Sequence, residues 1–185
     1  MREISDVNIL KKFCEEFCTI VERHCKYIVV SGYLAIATGR SRATQDIDMI
    51  LERINEKKYS ELHKDLVQNG FVCVQGDTVH DVYEYLSDNT CIRYVYKDTF
   101  LPEMEVKLAK DIIDSIQLAN RMKIPLTNVD VYFSPIEMNI AFKEEYLKSE
   151  KDLEDAKHFR IVFKEDIDEE RIHKLKKLIR DVRLK

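Results

Sequence analysis

The chain has 185 residues, 45% of them apolar and 35% charged, with a formal net charge of −4. That is enough apolar material for one domain with a sizeable core, or for a core domain with a small appended subdomain. The acidity argues against a general polyanion-binding protein, and no apolar run approaches the ~20 residues needed to cross a bilayer.

In chain order, Ser5 or Asp6 is placed to cap a first helix running to about Arg23, with Ile9, Leu10, Phe13, Phe17, Ile20 and Val21 as its apolar stripe. Cys14 and Cys18 lie one helical turn apart and read as small core residues. None of the five cysteines forms a Cys-x2-Cys pair, and free thiols suit a reducing compartment. Residues 1–12 lack the apolar core of a secretory signal, so the expectation is a cytoplasmic protein with no membrane partner. A strand is expected at 27–30, then a Ser31-Gly32 turn and a short helix over 33–38 whose first amides would face an anion. A second strand follows at 46–51, a helix near 57–69 closed by Gly70, and a strand at 71–75. Within 76–89, Val82, Tyr83, Tyr85 and Leu86 read as a strand. Further strands are expected at 90–97 and 103–108, and helix from 109 onward, interrupted at 129–133. Ser134-Pro135-Ile136-Glu137 predicts a helix start, with Ser as N-cap, Pro at N1 and Glu at N3. The pattern is α+β: a mixed sheet flanked by helices, as a core over 1–133 with a C-terminal helical region over 134–185 packed on it.

Residues 31–48 carry the chemistry. On a strand, Asp46 and Asp48 project from one face, about 7 Å apart. Carboxylates so placed chelate a hard divalent cation, Mg²⁺ or Mn²⁺, and repel each other when no metal or basic partner is present. Gly32 upstream permits the close backbone approach of a phosphate. An isolated Asp-x-Asp is equally the pattern of a polar strand edge; the preceding turn, Arg42 and Thr44 set this one apart. Arg42 has three open roles: neutralising the carboxylates, binding a phosphate, or standing in solvent. Thr44 reads as structural, its hydroxyl fixing the approach to the strand. His24, His63, His80, His158 and His173 have no ligand spacing and receive no role.

The run Gly32 to Asp48, with Arg42, Thr44, Asp46 and Asp48, resembles the signature of the polymerase-beta-type nucleotidyltransferase superfamily. More narrowly it resembles the branch of AbiEii-type toxins and their relatives. That branch usually reads Gly-Gly, a small apolar helix, then Arg-x-Thr-x-Asp-Ile-Asp. Here Ser31 replaces the first glycine, a mild change on this reading, since its hydroxyl would donate to a phosphate. The C-terminal run Ser134-Pro135-Ile136-Glu137, Ala141-Phe142-Lys143 and Lys151-Asp152-Leu153-Glu154-Asp155 resembles the same branch.

The resemblance implies transfer of an NMP from a nucleoside triphosphate, such as ATP, to a hydroxyl acceptor by two-metal-ion catalysis. Asp46 and Asp48 would hold Mg²⁺ or Mn²⁺, with a third acid on a neighbouring strand. Glu103, Glu105 and Lys107 would share a strand face, and Met104-Glu105-Val106 best fits the apolar-acid-apolar pattern of relatives, so Glu105 is chosen and Asp98 is the fallback. Ser31 and Gly32 would hold the β- and γ-phosphates, while Arg42 and Lys143 would offset transition-state charge. Lys143 would point into the cleft; Asp152 and Asp155 would anchor their helix through Arg or Lys partners. The acceptor stays open among a protein, a tRNA end and a small molecule. So does the choice between monomer, homodimer and partner protein. The rival reading is a catalytically inactive nucleotidyltransferase-like binding protein or toxin–antitoxin component.

Overall fold

A computed structural model describes the backbone of residues 2–41, 44–76 and 78–185, with side chains from residue 8 onward over the same stretches. The first helix, α1 (Arg2–Glu22), starts ahead of the Ser5/Asp6 cap expected from sequence. It is followed by β1 (Tyr27–Val30), α2 (Gly32–Ala37) and β2 (Asp46–Leu51), with the two strand spans as expected. Then come α3 (Glu56–Gln68), β3 (Phe71–Cys73), α4 (Val79–Ser87), β4 (Ile92–Tyr96) and β5 (Glu103–Leu108). The rest is helical: α5 (Ile112–Ala119), α6 (Ile136–Phe142) running into a π-helical turn (Lys143–Leu147), α7 (Glu150–Val162) and α8 (Glu169–Arg183).

Two local expectations are corrected. The stretch read as a strand at Val82, Tyr83, Tyr85 and Leu86 is α4. Thr78 caps it by accepting from the Asp81 amide, and Val82 and Leu86, one turn apart, bury its inner face. Ser134 does not cap α6: its hydroxyl, fully buried, donates to Gln117 Oε1 at 2.8 Å. The Asn139 side chain instead donates to the Ser134 and Pro135 carbonyls.

The five strands form one mixed sheet in the order β1-β2-β5-β4-β3. β2 and β5 run parallel; the other neighbouring pairs are antiparallel. One face carries Ile47, Met49, Leu51, Met104, Val106 and Leu108, all buried in the main apolar cluster. The aromatic rings of α1 seal this face, Phe13 and Phe17 meeting Phe71 edge-on at 5.6 and 5.1 Å between centroids. The same cluster takes in Ile140, Phe159, Ile172 and Ile179, so the C-terminal helices share the core of the sheet. No helix is long and apolar enough to cross a membrane among the described residues.

Behind the sheet, Tyr94 Oη links the Tyr59 hydroxyl and His63 Nδ1, each at 2.7 Å. Burial holds the His63 pKa below its ordinary value, because the charged imidazolium loses its hydration. The unfolded chain then binds the extra proton first. This site's contribution to stability is complete above the unfolded histidine value and is lost as pH falls below it, through the lower folded value. Thermal melts between pH 7.5 and pH 5 should show wild type losing more stability on acidification than His63→Asn.

Candidate active site

Strand alternation and register assemble the site. On β2, Asp46 and Asp48 point away from the core that holds Ile47 and Met49. On β5, Glu103, Glu105 and Lys107 alternate in the same way with buried Met104, Val106 and Leu108. The parallel pairing sets Asp46 opposite Glu103 and Asp48 opposite Glu105. On the far side of β5, β4 sets Arg93 opposite Glu105. Directly paired residues share a sheet face, so four carboxylates and two cations occupy one surface. Its other end is closed by Ile28, Ile50, Ala109 and Leu118.

Electrostatics on this face are uneven. Asp48 is pushed above the ordinary carboxylate pKa, chiefly by burial and further by Glu105 and Asp46; Lys107 and the neighbouring Ser31 hydroxyl pull the other way. Glu103 is raised too, by desolvation and by Asp46, with Arg93 opposing. The Arg93 guanidinium is 3.2 Å (Nε) from Glu103 Oε1 and 3.8 Å (Nη2) from Glu105 Oε2. Its Nε is buried without an aligned hydrogen bond. Among the described residues no three carboxylate, histidine or cysteine groups converge as a ready-made metal cage. The donor set is nevertheless all carboxylate oxygen, the chemistry a hard divalent cation requires, with Asp46 and Asp48 on one face and Glu105 beside them.

The turn above β2 departs from the mild substitution expected. Ser31 has φ 70° and ψ −139°, a left-handed conformation that glycine adopts freely and serine does not. Its hydroxyl lies by Asp48, where it favours the charged carboxylate. Gly32 opens α2 directly after it. Thr44 Oγ1 donates to the Asp46 carbonyl at 3.3 Å, holding the approach to β2. Arg42 lies outside the described residues. Asp98, the fallback third acid, is exposed in the turn after β4 and stands apart from this row.

Lys143 is not brought to the carboxylate face. It is 1% exposed, and its ammonium donates to Asp152 Oδ1 at 3.0 Å and to Asp155 Oδ2 at 2.8 Å. The cleft-facing phosphate ligand expected of it is thereby corrected: the ammonium is taken up by two acids of α7. Asp155, fully buried, also pairs with Arg40, which in turn reaches Glu154 and the Lys151 carbonyl. The anchoring expected of Asp152 and Asp155 is what the geometry shows. Sequence reasoning assigned nothing to Arg40 or Arg93. Both are located by contacts distant in sequence, and no local pattern marks either.

Over nearly its whole length the chain is similar in structure to two solved proteins. One is an antigenic nucleotidyltransferase-like protein from Paracoccidioides brasiliensis, with TM-score 0.56, 13% identity, 97% of this chain and 89% of that chain covered. The other is the antibiotic-resistance factor ANT(2'')-Ia, with TM-score 0.55, 14% identity, 98% of this chain and 94% of that chain covered. These likenesses show a nucleotidyltransferase-like fold. No family model matches the chain, and no curated protein matches it in sequence.

Two variants probe these placements. Because the fold raises the Asp48 pKa, the ionised carboxylate costs stability at neutral pH. That cost is absent below the unfolded value and develops as pH rises through the folded one. Asp48→Asn, melted in EDTA, should therefore be more stable than wild type at pH 7, by a few degrees, with the gap closing toward pH 3. Lys143→Met, by contrast, should lower stability by about 3 kcal/mol in denaturant titration, since it strips a cation from a buried carboxylate.

Proposed function

We propose that this chain is a metal-dependent nucleotidyltransferase that moves an NMP from a nucleoside triphosphate to a hydroxyl acceptor. The observation that carries it is the placement of Asp46 and Asp48 on one open strand face. They sit beside the Ser31-Gly32 turn with Glu105 in register, in a fold shared with nucleotidyltransferase-like proteins. Asp46 and Asp48 would hold Mg²⁺ or Mn²⁺, flanked by Glu105. When bound, the ion supplies charge neutralisation for the triphosphate and a lowered pKa for the attacking hydroxyl. The chain's own part is positioning. Thr44 fixes the entry to β2, and the apolar alternation of β2 and β5 holds both acids outward. Burial keeps Asp48 poorly hydrated, so its carboxylate gains more from a cation than a solvated one would. Gly32 leaves the backbone open to close approach by phosphate oxygens, and Arg42 is the candidate side chain to offset their charge. Within the superfamily, the Arg42 to Asp48 motif supports an AbiEii-like branch, and with it a toxin–antitoxin setting.

The test is calorimetric titration of ATP, GTP, CTP and UTP, with and without Mg²⁺, on wild type and Asp46→Ala/Asp48→Ala. Mg²⁺-dependent binding of at least one triphosphate is expected in wild type, falling below detection in the double variant. A folded wild type that binds none of them overturns the reading.

A further inference from the structure

Asp48, Glu105 and Arg93 stand side by side across three neighbouring strands. Glu105, the middle of the three, engages the arginine, which also reaches Glu103. On the basis of the transferase reading, we propose that Arg93 takes the place of a second metal ion, so that the site holds one divalent cation, on Asp46 and Asp48.

Three observations converge on this. The first is charge. Asp46, Asp48, Glu103 and Glu105 face two cations among the described residues, Lys107 and Arg93. The two negative charges left over are what a single divalent ion cancels. The second is permanence. A guanidinium does not lose its proton at any pH the protein survives, and its planar fork spans two carboxylates at once. Arg93 is also well anchored. Its strand is paired on both sides, and its backbone amide donates to Gln75 Oε1 at 2.6 Å. The third is orientation. The guanidinium is turned so that Nε lies 3.2 Å from Glu103 and Nη2 3.8 Å from Glu105, which makes those carboxylates its charged neighbours among the described residues. A second ion at Glu105 would have to share that carboxylate with a cation already beside it, and the two like charges repel.

The consequence is a division of labour across the sheet. Asp46 and Asp48 form the cation end, while Glu103 and Glu105 form a flank ion-paired to Arg93. Glu105 is then a positioning residue that holds Arg93.

Counting bound Mn²⁺ by electron paramagnetic resonance, on protein freed of metal, tests this without reference to activity. One ion is expected on wild type and on Arg93→Lys, which keeps the charge. Two are expected on Arg93→Gln, and none on Asp46→Asn/Asp48→Asn. Circular dichroism melts establish that each variant is folded. Two ions on wild type, or one on Arg93→Gln, overturn the proposal and leave the transferase reading standing. No ion on wild type removes the metal site itself, and the triphosphate titration then decides the parent reading separately.

Discussion

The parallel register between β2 and β5 is the constraint on which the rest of this molecule depends. Ile47, Met49 and Leu51 on one strand, and Met104, Val106 and Leu108 on the other, are all driven into the same core. A slip of one residue would exchange these side chains for Asp46, Asp48, Glu103 and Glu105, placing four acids against Phe and Tyr rings. Hydrophobic burial on the back of the sheet thus fixes a concentration of negative charge on its front. Lys107 and Arg93 relieve part of it, each from the same face. Pairing of charges and pairing of strands are two consequences of one alternation.

How much of the front remains open is decided by the helices. α5 brings Leu118 onto Ile28 and Ile50 and closes one end of the face. The other end is bounded by the Ser31 turn, whose hydroxyl lies by Asp48. Just beyond α2, Arg40 is clamped to α7 through Asp155, itself held by Lys143. Buried ion pairs are weak contributors to net stability but strongly penalise being broken. The cluster therefore specifies where α7 sits relative to the segment entering β2 more than it strengthens the fold.

The strands of the site were legible because burial on one face imposes a period of two over short spans. β5 alternates throughout, while β1 reads as a short unbroken apolar run and β2 alternates only over its first residues. α4 was missed because Val82, Tyr83, Tyr85 and Leu86 satisfy a loose strand pattern; the deciding signals are the Thr78 cap and the one-turn spacing of Val82 and Leu86. Lys143 could not be placed from its own neighbourhood, since a lysine is buried only where acids meet it, and Asp155 reaches it through the turn between α6 and α7. Arg93 is harder still. Its partner Glu105 is given by an antiparallel pairing, and nothing in Ile92-Arg93-Tyr94 announces it. Local periodicity yields which face a residue occupies; the pairing of strands yields whom it meets.

Unfavourable features gather at one corner of an otherwise well-satisfied structure. Ser31 adopts a backbone conformation that costs a residue with a Cβ on the order of 1–3 kcal/mol. Asp48, on the strand beside it, keeps a carboxylate where burial disfavours its charge. Arg93, across β5, has a buried Nε with no hydrogen bond, one of two such side-chain atoms among the described residues. None of the three helps the core pack, and each persists only because the surrounding strands over-determine it. A sheet selected for stability alone would place glycine at the turn and a neutral residue at position 48. Strain at Ser31 and a desolvated carboxylate at Asp48 fit a surface arranged to gain from something it binds, and the charge held at Asp48 is of the sign that a cation relieves.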